Sequence, residues 1–531
     1  MKAKVSKPNR GERMAKQQVV SVGDIHEVEA IRLNDDGEGV VSIHGFTVFV
    51  PGLLPEEQGR IEISSTGKSF ARGHLLQRMS VSNRRVVAPC PVFDTCGGCQ
   101  LQHVSYQDQL LHKQQTVQGA LRGVGKFETA RSDGGVTLEA NSGANSDVGS
   151  DVGSDAESSN ADSGGAGLYT PDRDCHRDCN ITEAGMDAGV FENASDVIQV
   201  RPVLGMETPW RYRNHVQVPI QFDGKGNYKM GFYAPESHTL VPADVCLLEP
   251  AEMEQTARRV AAYAAENMGD AARHIHHLIL RYSFSMNEVM VVLSVGKPIS
   301  LQHHAENLRL LPYVASVAVT VQPNLGGGSV WGPKVELLAG KSVLTERLKG
   351  VEYRISPRSF FQVNPVQTQV LYQQVEQAVK IEAGTRVLDA YCGTGTIALW
   401  LAKAGAEVTG IESIEAAVDD ARLNAKLNHI HNVRFVCGKV EKELPRLVNQ
   451  GHNFDIVVVD PPRKGLDRRV VDTLLNEKPE KIVYVSCNPS TLARDLRIFH
   501  EGGYRIGSVQ PVDMFPQTSH VECVTALTYH P

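Results

Sequence analysis

The sequence predicts an α/β protein whose C-terminal part is a parallel, doubly wound sheet, with a small β-barrel and a central α+β domain before it. Three observations carry this. Beyond residue 366, apolar strands and amphipathic helices alternate with the rhythm of βαβ units. Before residue 80, five short alternating runs are divided by turn residues, at the spacing of a small barrel. The length, 531 residues, holds more than one core. A composition 41% hydrophobic and 22% charged excludes a fibrous or wholly disordered chain.

The first residues are basic (Lys2, Lys4, Lys7, Arg10, Arg13, Lys16) and lack the apolar stretch of a secretory signal. No run reaches the ~18 apolar residues of a membrane span. A cytoplasmic protein without a membrane partner is expected, so its ten cysteines read as ligands or catalysts rather than disulfides. Residues 17–80 contain the barrel runs: His26 to Leu33, Gly39 to Ile43, Phe46 to Val50, Arg60 to Ser64 and Ala71 to Gln77. Asp35-Asp36-Gly37, His44-Gly45 and Pro51-Gly52 supply the turns. The stretch from His44 to Pro55 resembles the TRAM domain of RNA-modifying enzymes, an OB-like module that would bind RNA.

Residues 81–127 carry a cysteine array. Residues 128–200 form an acidic insertion with a Ser-Asp-Val-Gly repeat from Ser146 to Asp155. Its composition cannot offset the entropy of ordering, so it is expected to be largely disordered. It holds 15 acidic and 3 basic residues, a charge of −12; removing that from the net −7 leaves +5 on the remaining chain. A nucleic-acid partner is therefore compatible with the charge. Residues 201–365 mix strands (Asn214 to Gln221, His277 to Tyr282, Glu288 to Ser294, Ser316 to Gln322) with a helix from Ala251 to Asn267. In residues 366–531 the expected strands are Arg386–Ala390, Glu407–Ile411, Val433–Val436, Ile456–Val459 and Lys481–Ser486, and helices cover Val366–Val379, Ile397–Ala404 and Ile414–Leu427.

Ligands of such sheets sit at the strands' carboxyl ends, and the reactive motifs cluster there. Cys392-Gly393-Thr394-Gly395-Thr396 follows one strand; its glycines permit a tight turn and close backbone approach at a helix start. Alone it also fits a nicotinamide site or a purely structural turn. With Asp389 before it and Glu412 ending the next strand, it resembles the S-adenosylmethionine site of class I methyltransferases. Asp460-Pro461-Pro462-Arg463 ends a later strand, with Arg463 where amine methyltransferases carry an aromatic residue. Ser486-Cys487-Asn488-Pro489 ends the next, placing a cysteine as a nucleophile at the sheet's mouth. His520-Val521-Glu522 follows.

In this order the motifs resemble the RNA (uracil-5)-methyltransferase family. The resemblance implies that Cys487 adds to C6 of uracil, because C5 alone is too weak a nucleophile to take a methyl group. Glu522, a carboxylate expected to be ionised at neutral pH, would then remove the C5 proton. It also assigns Gln362, Tyr391, Gly393, Gly395, Thr396, Glu412 and Asp460 to the S-adenosylmethionine or uracil pocket, and Phe361 to stacking on a flipped base. Cys90, Cys96 and Cys99, with Cys246 beyond the insertion, could hold zinc or an iron–sulfur cluster. Their spacing resembles the [4Fe-4S] site of the family's TRAM-containing branch, whose substrate is 23S rRNA. A second pair, Cys175 and Cys179, has too few companions for a closed metal site. A monomer acting on 23S rRNA is expected. A tRNA enzyme and a non-catalytic RNA-binding assembly factor are the alternatives; Cys487 and Glu522 count against the second.

Overall fold

The computed structural model describes residues 20–130, 197–223, 225–324 and 328–530. The expectations for 131–196, including the acidic repeat and the Cys175/Cys179 pair, lie outside the described residues. The first sheet contains β1 (Ile25–Glu29), β2 (Arg32–Leu33), β3 (Gly39–Ile43), β4 (Phe46–Val50), β5 (Gln58–Thr66) and β6 (Phe70–Arg78), in the order β1-β5-β6-β4-β3-β2. The first expected run splits in two. Between its halves the amide of Ala30 donates to the Glu57 carbonyl (3.0 Å) and that of Ile31 to the Val40 carbonyl (2.9 Å), which curls the sheet onto itself. Val41, Val48, Val50, Leu53, Ile61, Ile63 and Ala71 fill the interior. Each larger aliphatic contributes about 1.5–3 kcal/mol by leaving water.

After the cysteine segment comes α1 (Tyr106–Gly123), capped by Ser105, whose hydroxyl accepts the Asp108 amide at 3.2 Å. Two short strands, β7 (Glu128–Thr129) and β8 (Val197–Ile198), pair in parallel. The central domain comprises β9 (His215–Phe222), β10 (Tyr228–Tyr233), β11 (Leu240–Pro242), α2 (Ala251–Asn267), β12 (Ile275–Ser283), β13 (Glu288–Val295), α3 (Gln302–Arg309), β14 (Val314–Val321) and β15 (Val335–Gly340). Its strands run β11-β10-β9-β12-β13-β14-β15. Helix α2 buries Met253, Ala257, Val260, Ala261 and Ala264, a stripe of helical period, in the core of this domain. A hairpin follows, β16 (Leu344–Leu348) and β17 (Val351–Ile355).

The C-terminal sheet is flanked by α4 (Pro365–Val379) and built from β18 (Arg386–Ala390), α5 (Thr396–Lys403), β19 (Glu407–Glu412), α6 (Glu415–Leu427), β20 (Val433–Cys437), α7 (Val440–Asn449), β21 (Ile456–Val459), α8 (Arg468–Glu477), β22 (Lys481–Ser486), α9 (Pro489–Glu501), β23 (Tyr504–Val512) and β24 (Glu522–Tyr529). Strand order is β20-β19-β18-β21-β22-β24-β23. The order reverses between β18 and β21, the switch point where ligands bind in such sheets. Helices on both faces explain the continuous apolar runs of β21 and β22, whose interior residues are 0–1% exposed. The expectation of a parallel sheet holds for β18 to β22. Strand β24 instead enters antiparallel, between β22 and β23. The preceding hairpin joins this domain: Glu352 and Arg354 donate their amides to Asn428, which caps the C-terminus of α6, and to Asn424 within that helix, at 2.7 and 2.8 Å.

Candidate active site

The antiparallel entry of β24 has a direct consequence for chemistry. Its first residues lie at the sheet end where β22 finishes, and Ser486 pairs with Cys523. Cys487 and Glu522, 35 positions apart in the chain, are thereby brought together. Asp460 ends β21 beside them, and its amide donates to the Ala390 carbonyl at 3.5 Å. Cys487 immediately precedes α9, whose cap Asn488 accepts the amides of Ser490 (3.0 Å) and Thr491 (3.3 Å). Asn488 Nδ2 and Thr491 Oγ1 donate to the Arg463 carbonyl, at 3.3 and 3.2 Å, tying the Asp-Pro-Pro-Arg loop to the cysteine loop.

The electrostatics are dominated by burial. It pushes the half-buried Cys487 thiol up to about 11, reinforced by the charges of Glu522 and Asp460 and opposed by Arg463. It lifts the Asp460 carboxyl to about 7. Glu522, 5% exposed, is held well above the ordinary carboxylate range by burial and by Asp460, with Arg463 acting against both. The expectation of a carboxylate with ordinary acidity at Glu522 is therefore corrected. Burial strengthens it as a proton acceptor once it is ionised, and the exposed Arg463 is the cation that favours ionisation. The sequence singled out Arg463 only as a missing aromatic. Its guanidinium lies 3.4 Å from His520 Nε2.

The glycine loop lies between β18 and α5. Tyr391 (φ +69°), Gly393 (φ +56°) and Gly395 (φ +81°) all take the left-handed conformation. For Tyr391 this costs about 1–3 kcal/mol, a strain typical of ligand-holding loops. A side chain on Gly395 would place Cβ 2.9 Å from the Phe435 ring, whereas one on Gly393 would meet nothing within 4 Å. The Gly393 amide donates to Glu412 Oε2 at 3.2 Å, and Glu412 Oε1 accepts the Ile414 amide at 2.8 Å. Glu412 thus overlooks the loop from the end of β19. Thr396 opens α5, with its hydroxyl accepting from Tyr372 (2.8 Å) and its carbonyl accepting from Tyr353 (3.1 Å). Neither tyrosine is marked by any local sequence signal. Gln362 lies in a segment without regular structure and is anchored through its carbonyl by Asn214 Nδ2 at 3.0 Å. The stacking expectation for Phe361 is corrected: that ring is 4% exposed and packed 6.1 Å from Tyr353, while the neighbouring Phe360 is 68% exposed.

Cys90, Cys96, Cys99 and Cys246 line one cavity of about 530 Å³, together with Gln102, Arg213 and Glu249. The array and the distant fourth cysteine therefore converge. Gly97 makes this possible: its amide donates to the Tyr233 carbonyl at 3.0 Å, and a side chain there would stand 3.2 Å from Pro235. Burial pushes Cys99 up to about 11 and Cys246 well above the usual thiol range. Among the described residues, no three or more Cys, His, Asp or Glu side chains are grouped as ligands of a metal ion. Among them, too, no helix is long and apolar enough to cross a membrane.

The family described as tRNA (Uracil-5-)-methyltransferase matches residues 334–530. An uncharacterized RNA methyltransferase of Halalkalibacterium halodurans is 36% identical over 526 residues, which cover 97% of this chain and 99% of the relative. Another, from Listeria innocua, is 34% identical over 505 residues, 93% of this chain and 96% of its own. The crystal structure of Pyrococcus abyssi tRNA (uracil-54, C5)-methyltransferase in complex with S-adenosyl-L-homocysteine aligns with a TM-score of 0.65 and 26% identity. That alignment covers 94% of this chain and 99% of the other.

Proposed function

Because this chain belongs to the RNA (uracil-5)-methyltransferase family, we propose that it methylates C5 of a uridine in RNA with Cys487 as nucleophile and Glu522 as base. The observation that carries the reading is the β22–β24 register, which sets these two residues side by side at the mouth of the sheet. The Cys487 thiolate adds to C6, and the C5=C6 electrons pass into an enolate whose carbon terminus is C5. S-adenosylmethionine, when bound, supplies the methyl group that this carbon takes up. Glu522 then accepts the C5 proton. The electrons of that bond restore C5=C6, and the C6–S bond breaks to return the thiolate.

The residues around the glycine loop fit the cofactor. Gly395 takes a positive φ with Phe435 and Ala421 packed where a side chain would stand, which fixes the loop at the start of α5, and Glu412 offers a carboxylate for ribose hydroxyls. Tyr391, Gly393, Thr396, Asp460 and Gln362 complete the pocket we assign. Phe360, not Phe361, is the aromatic whose exposed ring suits stacking on an extruded base.

For the substrate we propose 23S rRNA, on the resemblance of the barrel and the cysteine array. Transfer RNA is the second reading. The Pyrococcus abyssi tRNA enzyme matches 94% of this chain, so domain content alone does not separate the two. We further propose that Cys90, Cys96, Cys99 and Cys246 hold a [4Fe-4S] cluster. What supports the cluster is the Cys-x5-Cys-x2-Cys spacing with Cys246, which resembles four-cysteine cluster ligation, together with the convergence of these four residues on one cavity. Such a cluster would fix the fold of this segment and takes no part in the steps above.

The test is a denaturing gel and a methyl-transfer assay on ribosomal and transfer RNA transcripts. Cys487→Ala is expected to abolish transfer while still binding S-adenosylhomocysteine. Glu522→Gln should add and methylate but fail to eliminate, leaving a protein–RNA adduct that survives denaturation. Normal transfer by Cys487→Ala would refute the nucleophile. Mass-spectrometric mapping of 5-methyluridine in rRNA and tRNA from a deletion strain decides between the substrates.

A further inference from the structure

Residues 513–521, which lead into Glu522, form a loop held from several sides. Gln517 is at its centre, in the left-handed conformation (φ +70°). Its carbonyl accepts the amides of Gln100 (3.1 Å) and Leu101 (3.0 Å), the two residues that follow Cys99. Its side chain and backbone form a reciprocal pair with Gln109 of α1. Gln109 Nε2 donates to Gln517 Oε1 at 3.0 Å, and the Gln517 amide donates to Gln109 Oε1 at 3.1 Å. The same Gln109 Nε2 reaches the carbonyls of Leu101 and Val104, both at 3.0 Å. Four residues before Gln517, Asp513 pairs with Lys113 at 2.5 Å; both side chains are fully buried. The Tyr106 hydroxyl donates to Asp513 Oδ2 at 2.9 Å, and Lys113 Nζ to the Phe515 carbonyl at 3.1 Å.

This is an expensive way to hold a loop. A buried ion pair gains little net stability over apolar packing, because both charges lose their water. A fully satisfied polar network does fix a single arrangement, and Glu522 must be aimed at one proton on one face of a ring. We propose that Gln517 and Gln109 are positioning residues for Glu522, which lock the 513–521 loop in register with the segment following Cys99. Proton abstraction thereby depends on the cysteine segment being in place. The inference rests on Glu522 being the base, and its test separates the two.

The experiment follows formation and decay of the covalent adduct in single turnovers, with the full-length enzyme and an rRNA or tRNA transcript chosen by the mapping above. Gln517→Gly keeps the positive φ without strain and removes the carboxamide. Gln109→Ala removes the partner from the other side. Both are expected to form adduct within about twofold of the wild-type rate and to slow its decay by about ten- to hundredfold, the scale of a ~1 Å misplacement. Adding either change to Glu522→Gln should slow decay no further. Wild-type decay in both variants, while Glu522→Gln traps adduct, overturns the positioning role. Equal slowing of formation and decay overturns it too, since that is general loosening. If Glu522→Gln itself traps nothing, the base reading falls and this inference with it.

Discussion

At the scale of single residues the site is built against ionisation. Cys487 must act as a thiolate, yet burial pushes its thiol up to about 11, so at neutral pH the ligand-free enzyme holds it overwhelmingly as the thiol. The start of α9 and the Arg463 guanidinium oppose this, but burial and two carboxyls outweigh them. The sign is unambiguous. Raising the pH populates the thiolate, and it also populates the Glu522 carboxylate, whose carboxyl is likewise shifted up. We expect kcat/KM for RNA to climb steeply with pH, about tenfold per pH unit between 7 and 9, without the fall of a site that needs a protonated thiol. A profile flat across that range would show that RNA binding reverses the burial penalty before addition. Arg463→Gln should displace the whole rise to higher pH, since a cation acting on both groups is lost.

At the scale of elements, the loop between β18 and α5 makes a contrast that sequence alone could not. Gly393 and Gly395 look equivalent in the motif, and both have positive φ. Gly393→Ala meets no neighbour and should cost about 1 kcal/mol of backbone strain, leaving S-adenosylhomocysteine binding detectable by calorimetry. Gly395→Ala drives Cβ to 2.9 Å from Phe435 and 3.1 Å from Ala421, so α5 must shift and binding should be lost. Comparable affinities in the two variants would contradict this account of the loop. What was legible in the chain follows the same logic. Helix α2 and strands β18, β21 and β22 match their expected bounds residue for residue, because each repeats a burial pattern within its own length. The motif residues on their ends came with them. The antiparallel insertion of β24 was not legible, since nothing local distinguishes a buried parallel strand from a buried antiparallel one. Nor were Lys113–Asp513 and Gln109–Gln517, pairs separated by 400 and 408 positions. Phe360 and Phe361 were confused because they lie outside any regular element, where no period says which ring is buried.

At the scale of the whole molecule, the cysteine cavity draws together parts of the chain on either side of the acidic insertion: Cys99 precedes it and Cys246 follows it. The two ends of that excursion adjoin. Glu128 and Thr129 pair with Val197 and Ile198, and the Ala130 amide donates to the Ile198 carbonyl at 3.2 Å. The chain therefore has to return only from the end of one two-residue strand to the start of its parallel neighbour. Removing residues 140–195 leaves about ten residues for that return, a reach of up to ~33 Å, far more than the gap requires. Loop-closure entropy changes by only ~0.6 kcal/mol per doubling of length, so shortening should stabilise the fold slightly. The segment's negative charge repels phosphate, which makes it a poor RNA-contacting element. We expect the deletion variant to retain methyl transfer, the iron of the cluster proposed above and a melting temperature at or slightly above that of the full chain. Its RNA affinity should keep the same dependence on salt, measured as the slope of log Kd against log salt concentration. A steeper slope and tighter binding after deletion would instead identify the acidic stretch as an internal competitor for the RNA-binding site. Loss of iron or of activity would show that the stretch is an integral part of the enzyme.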